Sequence, residues 1–256
     1  MVLPRENPSP RRHARSAARG SVAKAPCEKR IVASLQVPLG TCETAEVVTV
    51  QARVLRLSGS REKIDEGVEA YKSRVVPALR ERDGYSGARL IVDRRTGAAM
   101  SITFWRDGET SRASFEAMTS IRAEATSSFG AGTPEAKVYE AVVQHRPQPT
   151  EAGNWVRVTT LRGDPTKVDE GIRHFESRVI PEMSKLQGFR VAILLVDRAT
   201  GEAIAFTVWD SERDLEASSS QAGPVRATAS EVMGASDPQV ESYEVAFAEL
   251  PAPVGT

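Results

Sequence analysis

Residues Gly84–Trp105 read GYSGARLIVDRRTGAAMSITFW, and residues Gly188–Trp209 read GFRVAILLVDRATGEAIAFTVW. Each stretch holds two apolar or β-branched runs, separated by the connectors DRRTG at 93–97 and DRATG at 197–201. A glycine at the end of so short a connector supplies the positive φ that tight hairpin turns require. Each stretch is therefore predicted to be a β-hairpin.

The two hairpins belong to a longer internal repeat with a shift of 104 residues. Between Arg53 and Val143, 33 of the 91 aligned pairs are identical, and the alignment contains no gap. Self-similarity of this extent indicates a duplicated structural unit. We predict two domains, residues 47–144 and residues 154–250, which are called repeat 1 and repeat 2 below.

The remaining segments are predicted to be a linker and two tails. Residues 145–153 (HRPQPTEAG) contain two prolines and indicate a linker. Residues 1–46 are predicted to be a disordered basic tail, because the first 30 residues hold eight Lys or Arg and only two Glu. Residues 251–256 are predicted to be a C-terminal tail. Cys27 and Cys42 lie outside both repeats, so the sequence predicts neither a disulfide framework nor a metal site.

The composition is that of an ordinary globular protein. Of the 256 residues, 40% are hydrophobic and 27% are charged, and the formal net charge is zero. A balanced charge favours neither a nucleic-acid partner nor an anionic membrane surface. No stretch approaches the ~18 apolar residues of a membrane span. We therefore expect a cytoplasmic protein with no nucleic-acid or membrane partner.

Each repeat shows the element order strand, helix, strand, strand, helix, strand, which is the ferredoxin-like βαββαβ arrangement. Helix one carries an apolar stripe at helical spacing, and helix two is predicted over Glu109–Ser128, with an interruption at Gly223-Pro224 in repeat 2. The stripe residues are Ile64, Val68, Tyr71, Val75 and Leu79 in repeat 1, and Val168, Ile172, Phe175, Val179 and Met183 in repeat 2.

Prolines and polar residues mark the ends and the middle of helix one. Ser60 is predicted to cap this helix in repeat 1, and Asp164, followed by a proline, is predicted to cap it in repeat 2. Pro77 and Pro181 fall inside the helix, where each either kinks the helix around the sheet or opens a gap that lines a pocket.

The predicted fold class is α+β, with tandem ferredoxin-like (βαββαβ) repeats that form an intramolecular dimeric α/β barrel behind a disordered N-terminal tail. Four strands with both helices on one side leave the other sheet face bare. Two repeats can bury these faces against each other and remove the exposed edges. Fusion holds the two partners at high effective concentration. Further homo-association stays open.

The two hairpin stretches resemble the antibiotic-biosynthesis-monooxygenase (ABM)-like family of the dimeric α/β barrel superfamily. The resemblance rests on the Gly-aromatic pair after helix one, the DRxTG connector and the strand ending in Thr-x-Trp. It implies cofactor-independent oxygenation of aromatic polyketides or, in another branch, haem degradation. The haem-degrading members use a Trp and a His in helix two, and this chain has Ser114, Ser218, Ala123 and Ala227 there. No cofactor is therefore predicted.

Five side chains are predicted to form the site by this resemblance. Polyketide oxygenases use an Asn four residues before the strand-three Trp, and this chain has Ser101 and Ala205 at that position. Arg122 and Arg226 fall inside the apolar face of helix two, where each acts either as an anion or enolate clamp or as a structural ion-pair partner of the recurring glutamates Glu140 and Glu244. The predicted site residues are Arg122, Arg226, Trp105, Thr103 and Ser101.

Two further pairs of residues carry open alternatives. Arg53 and Arg157 recur in strand one, where they either line the pocket or form ion pairs on a surface face. Trp105 and Trp209 either pack in the core or contact a ligand.

The resemblance implies a cofactor-independent monooxygenase-like protein that acts on a small aromatic or polyketide-like molecule. In that scheme an arginine stabilises the substrate enolate, while Ser101, Thr103 and Trp105 position its ring. The alternative is a non-catalytic ligand-binding or scaffold protein that retains the barrel fold. The character of the space between helices and sheet separates the two, because an open cavity favours binding or chemistry.

Overall fold

The structure, a computed structural model, describes residues 50–235 and 237–249. The predicted tails at 1–46 and 251–256 lie outside the described residues.

Eight strands in the described ranges close one antiparallel barrel in the order β1-β3-β2-β8-β5-β7-β6-β4. The last strand of each repeat completes the sheet of the other, because β4 pairs with β6 and β8 pairs with β2. The prediction of an intramolecular dimeric α/β barrel is therefore confirmed. The strands are β1 (Gln51–Ser58), β2 (Tyr85–Asp93), β3 (Ala98–Trp105), β4 (Glu135–His145), β5 (Trp155–Arg162), β6 (Phe189–Asp197), β7 (Glu202–Trp209) and β8 (Gln239–Glu249).

The barrel interior is an apolar core to which both repeats contribute. Val54 and Ile91 of repeat 1 pack with Ile193 and Val245 of repeat 2, and each is at most 2% exposed. Alternation along the strands places these side chains inside, whereas their chain neighbours face the helices. Residues 191–196 are buried on both faces of the sheet, as their continuous apolar run predicts.

Eight α-helices of the described residues pack on the outside of the barrel, and none has the length and hydropathy that crossing a bilayer requires. A π turn at Tyr71–Val75 joins α1 to α2, and another at Phe175–Val179 joins α5 to α6. The helices are α1 (Ile64–Ala70), α2 (Val76–Arg80), α3 (Gly108–Ala117), α4 (Thr119–Ser128), α5 (Val168–His174), α6 (Ile180–Met183), α7 (Glu212–Ala217) and α8 (Ser219–Met233).

The second helix of each repeat differs from the prediction. In repeat 1 the expected single helix breaks at Met118, between α3 and α4. In repeat 2 the expected break at Gly223-Pro224 is wrong, because α8 runs through both residues and the interruption lies at Ser218. Gly223 has no Cβ to clash with the ring of the following proline, so the helical conformation is retained there.

The first helix of each repeat begins and bends in different ways. Asp164 caps its helix as predicted, by accepting from the backbone N–H of Thr166 at 2.8 Å. Ser60 holds the N-cap position in repeat 1 as predicted, but its hydroxyl donates to Glu62 and forms no capping hydrogen bond. Each π turn ends two residues before a proline, Pro77 in repeat 1 and Pro181 in repeat 2. The wider helix at these turns accommodates the prolines.

Candidate functional site

A cavity lies between the helices and the outer face of the sheet in each repeat. Its volume is about 50 Å³ in repeat 1 and about 80 Å³ in repeat 2. Residues related by the 104-residue shift line the two cavities. The polar lining residues shared by both are Arg53 and Arg157 of strand one, Thr103 and Thr207 of strand three, and Arg122 and Arg226 of the second helix.

Arg53 is a buried cation that forms part of the repeat 1 cavity wall. It is 4% exposed, and its Nη1 donates to the carbonyl oxygen of Ser111 at 2.5 Å. Its guanidinium lies 4.9 Å from the ring centroid of Trp105 and 5.1 Å from that of Phe115. Burial, and secondarily the charge of Arg122, lowers the pKa of Arg53 to about 10. Strand one thus places a charge in the cavity wall, not on a surface face.

Arg122 lies across the same cavity and is held by its own helix pair. Its guanidinium stacks on the Phe115 ring at 3.7 Å from the centroid. Nη1 donates to the carbonyl oxygen of Phe115 at 2.7 Å, and Nη2 donates to Thr119 Oγ1 at 3.3 Å. Partial burial lowers the pKa of Arg122.

The ion-pair alternative for the helix-two arginines is wrong. Glu140 accepts from Arg198 at 2.8 Å, and Glu244 accepts from Arg94 at 2.7 Å. Both glutamates lie where the last strand of one repeat meets the second strand of the other, at the ends of the pairs β4–β6 and β2–β8. Barrel closure places them beside the hairpin arginines and leaves Arg122 without either carboxylate.

Trp105 lies behind the cavity wall. Its side chain is fully buried, and its indole Nε1 donates to Thr103 Oγ1 at 2.9 Å. Thr103 lines the cavity, whereas the indole packs against the guanidinium of Arg53. Trp105 therefore positions two cavity residues in this structure.

Ser101 lines the cavity together with Tyr71, a residue of the apolar stripe of helix one. Its Oγ is hydrogen-bonded to Tyr71 Oη at 3.0 Å, and both residues line the repeat 1 cavity. Burial raises the pKa of Tyr71 to about 12, so the phenol stays protonated and can donate. Comparison of the two repeats could have identified this pair from the sequence, because Tyr71 and Ser101 are replaced together by Phe175 and Ala205, which both lack a hydroxyl.

The strand-one arginine of repeat 2, Arg157, forms more hydrogen bonds than Arg53 does. The guanidinium of Arg157 donates to Ser218 Oγ at 2.8 Å, to the Leu215 carbonyl at 2.6 Å and to Ser219 Oγ at 2.8 Å. Burial, and then the charge of Arg226, lowers its pKa to about 10. The Arg226 side chain is half-buried and has no hydrogen bond or ion pair with any residue in the described ranges.

Both cavities carry uncompensated positive charge. Among the described residues, no Asp or Glu lines either of them, although other arginines pair with carboxylates. In each cavity one buried and one half-buried guanidinium group without a carboxylate favour an anion, because both lose solvation without gaining a counter-charge. Residues 50–235 and 237–249 contain no cluster of three or more His, Cys, Asp or Glu side chains that could hold a metal ion.

Two relatives align with most of the chain. The uncharacterized protein Rv2557 of Mycobacterium tuberculosis H37Rv is 34% identical over 204 residues, which is 80% of this chain and 91% of that protein. The uncharacterized protein Rv2558 of the same organism is 31% identical over 205 residues, with coverage of 80% and 86%. No protein-family model matches the chain.

Solved structures share the fold at low sequence identity. A candidate monooxygenase from Lactobacillus acidophilus NCFM superposes with a TM-score of 0.62 at 9% identity, covering 80% of this chain and 98% of the other. An anthrone oxidase-like protein superposes with a TM-score of 0.60 at 16% identity, covering 80% and 94%. The chain therefore belongs to one family with the Mycobacterium tuberculosis proteins Rv2557 and Rv2558, and it has the dimeric α/β barrel fold of the antibiotic-biosynthesis-monooxygenase-like proteins, with two copies fused in one chain.

Proposed function

We propose that the protein is a cytoplasmic, cofactor-independent monooxygenase-like oxidoreductase that holds a small aromatic or polyketide-like molecule as its anion in the repeat 1 cavity. One observation carries the proposal. Arg53 and Arg122 face one cavity together with the hydroxyl pair Tyr71–Ser101, and no carboxylate among the described residues lines it.

The two arginines supply the electrostatic part of the site. An opposite charge within ~4–6 Å lowers the pKa of an acid by about 1–3 units. A phenol or an enolisable ketone between Arg53 and Arg122 would therefore ionise more readily than in water. The described lining residues include no His, Asp or Glu to act as a base. The proton would pass to water, and the guanidinium groups would retain the anion.

The hydroxyl pair supplies directed hydrogen bonds. Tyr71 or Ser101 donates to the other, and the remaining hydroxyl proton is free to point at an oxyanion in the cavity. Donors that are already oriented stabilise developing charge without reorganisation. Trp105 would act behind the cavity wall by fixing the positions of Thr103 and Arg53, which both line the cavity.

The reaction such a site supports is oxidation of an activated methylene by O₂. The bound carbanion gives its electrons to O₂ and forms a carbon–oxygen bond. Loss of water from the resulting hydroperoxide leaves a carbonyl group. One oxygen atom enters the product and the other leaves as water, so the substrate supplies all the electrons and no cofactor is consumed.

The non-catalytic alternative, a ligand-binding or scaffold protein, is favoured by two features of the same cavity. Its described lining residues include no His, Asp, Glu, Lys or Cys, and its volume of about 50 Å³ is well below the ~150 Å³ of a cavity known to hold benzene. A whole ring would need α3 and α4 to move outward. Binding without turnover is the result this alternative requires.

Oxygen uptake and thermal shift with the full chain separate the two functions. The probes are hydroquinone, with one ring, and anthrone, whose methylene is activated by two rings. The proposal predicts stabilisation by both probes and one O₂ consumed per anthrone oxidised. Arg122→Leu should lower kcat/KM by about 10²–10³, as expected for loss of an oxyanion-stabilising group. Arg112→Leu removes the same charge from an exposed site on α3 and serves as the control.

The outcomes are distinct. A thermal shift without oxygen uptake would favour the binding protein. A stability loss in Arg122→Leu with unchanged ligand binding and turnover would refute the role of this arginine as a clamp.

A further inference from the structure

The repeat 2 cavity is built from different side chains than its counterpart, although the backbone is the same. Tyr71 and Ser101 of repeat 1 are replaced by Phe175 and Ala205, which removes both hydroxyls. Met118 is replaced by Ala222, which opens space, and the volume rises from about 50 to about 80 Å³. The two repeats therefore carry cavities that differ in volume and in hydroxyl groups.

One further replacement removes the contacts of the second-helix arginine. In repeat 1, Phe115 holds Arg122 with its carbonyl oxygen and its ring. The corresponding residue of repeat 2 is Ser219, and its hydroxyl accepts from Arg157 instead. Arg226 consequently has no partner among the described residues, while its half-buried guanidinium lines the cavity.

The rest of the cavity is apolar. Side chains such as Val168, Ile172, Val179, Leu194 and Met233 surround it, and only the hydroxyls of Thr159 and Thr207 join the two arginines as polar lining groups in the described part of the chain. None of these groups exchanges a proton near neutral pH. A carboxylic acid is already ionised in water at neutral pH, so it brings its negative charge into this cavity without a proton acceptor there.

A carboxylate with an apolar tail meets all these conditions. The planar fork of a guanidinium matches the two oxygens of a carboxylate, and the apolar wall matches a hydrocarbon tail. The cavity of about 80 Å³ is about half the ~150 Å³ that holds the six carbons of benzene, so it accommodates roughly three to four tail carbons, which is most of the five-carbon tail of a six-carbon acid.

We propose that repeat 2 is a separate binding site for a short apolar carboxylic acid, held at its carboxylate by Arg226 with Arg157 behind it. This site is distinct from the proposed catalytic cavity of repeat 1 and does not depend on it. Arg226 acts here as a binding residue for a preformed anion, because this cavity lacks the hydroxyl pair that would direct bonds to a reacting oxygen.

Calorimetric titration of the full chain at constant ionic strength tests the site with three probes. Hexanoate carries both charge and tail, hexan-1-ol lacks the charge, and acetate lacks the tail. The proposal predicts that hexanoate binds with one site per chain, and that acetate and hexan-1-ol each bind at least about 10-fold more weakly, since a charge-assisted hydrogen bond and a buried tail both contribute.

Two variants test the location of the site, one by removing a charge and the other by filling the cavity. Arg226→Gln should weaken hexanoate binding by about 10- to 100-fold and leave the weak binding of hexan-1-ol unchanged. Ala222→Met introduces the repeat 1 residue and fills the space, so it should abolish hexanoate binding while both arginines remain. Arg173→Gln, an exposed change on α5, is the control for loss of one charge.

Several results would overturn the proposal. They are equal binding of hexanoate and hexan-1-ol, no binding of hexanoate, or hexanoate binding that survives Ala222→Met but is lost on changing Arg122. The last result would place the acid in repeat 1. If the chain binds hexanoate as expected but does not turn over anthrone, the repeat 2 site is supported and the proposed catalytic function is refuted.

Discussion

Arg94, in the hairpin turn of repeat 1, donates from Nε to Oε2 of Glu244 in β8 of repeat 2 over 2.7 Å. The same guanidinium donates from Nη1 to Asp65 of its own repeat at 2.6 Å. The mirror set is Arg198, Glu140 and Asp169. Residues that are identical in the two repeats thus form the contacts between them, which explains why the DRxTG turn and the last-strand glutamate recur.

A double-mutant cycle measures this contact. We expect Arg94→Gln and Glu244→Gln to show a coupling of about 0.2–1 kcal/mol in unfolding free energy, because both side chains are partly exposed and screened by solvent. The coupling should shrink when salt is raised. Arg95→Gln is the control, since Arg95 pairs only within its own turn. A coupling of zero at low salt would contradict a stabilising role.

Isolation of one repeat tests the origin of the barrel. Residues 47–144 alone would expose the edges of β2 and β4 and the inner sheet face that repeat 2 covers. We expect this fragment to form a homodimer or to fail to fold, because bare edges and apolar faces associate. Light scattering on a sizing column gives the mass, and a well-folded monomer would refute the interpretation.

Three glycines test the close packing of helix one on helix two. A Cβ on Gly67 would overlap the Phe129 ring, so Gly67→Ala should lower the unfolding free energy by about 1–3 kcal/mol. In repeat 2 a Cβ on Gly171 would meet the flexible side chain of Met233, and the cost should be smaller.

The third glycine is expected to change the unfolding free energy in the opposite direction. Gly108 begins α3 with open space around its Cβ position, so Gly108→Ala should raise stability by about 0.4–1 kcal/mol. Chemical denaturation of the three variants checks the order. Equal effects at Gly67 and Gly108 would contradict a steric cause.

The pH dependence of stability reports on Tyr71. An unfolded tyrosine loses its proton near pH ~10, whereas burial raises the pKa of Tyr71 to about 12. Unfolding therefore releases a proton in this window, and stability falls as pH rises, by up to about 1.4 kcal/mol per pH unit from this group.

Tyr71→Phe removes that contribution. Its stability should fall less steeply than that of the wild type between pH 10 and 12, and the two curves should run parallel below pH 9. Urea denaturation at each pH gives the comparison. Parallel curves across the whole range would show that Tyr71 ionises as freely in the folded chain as in the unfolded one.

Arg89 is a charge inside the barrel, where repeat 2 has Ile193. Its Nη2 donates to Thr150 Oγ1 at 2.9 Å, its Nε has no partner among the described residues, and burial lowers its pKa to about 9. Replacing a buried charge with an apolar side chain often stabilises a protein by about 1–4 kcal/mol. We expect Arg89→Ile to do so at pH 7 in thermal and urea denaturation, and a loss of stability would indicate a bound counter-ion.

The sequence by itself determined the architecture. The 104-residue shift, the hairpin turns at Gly97 and Gly201 with their positive φ, and the alternation of apolar residues along the strands are local or repeated signals. A barrel followed because two such sheets each have one face without a helix. Arg122 and Arg226 were found at the cavities because helical periodicity places them on the face that packs against the sheet.

The tertiary structure alone decided the partners of these residues. Tyr71 meets Ser101 across 30 positions of sequence, and Glu244 meets Arg94 across 150, since barrel closure and helix packing set those distances. Phe115 contacts Arg122 through its carbonyl oxygen and its ring, and Arg226 has no such contact. This difference depends on the turn between α3 and α4, which the spacing of residues in the sequence does not predict. Periodicity fixes which face a side chain occupies, but the packing of the elements fixes what that side chain contacts there.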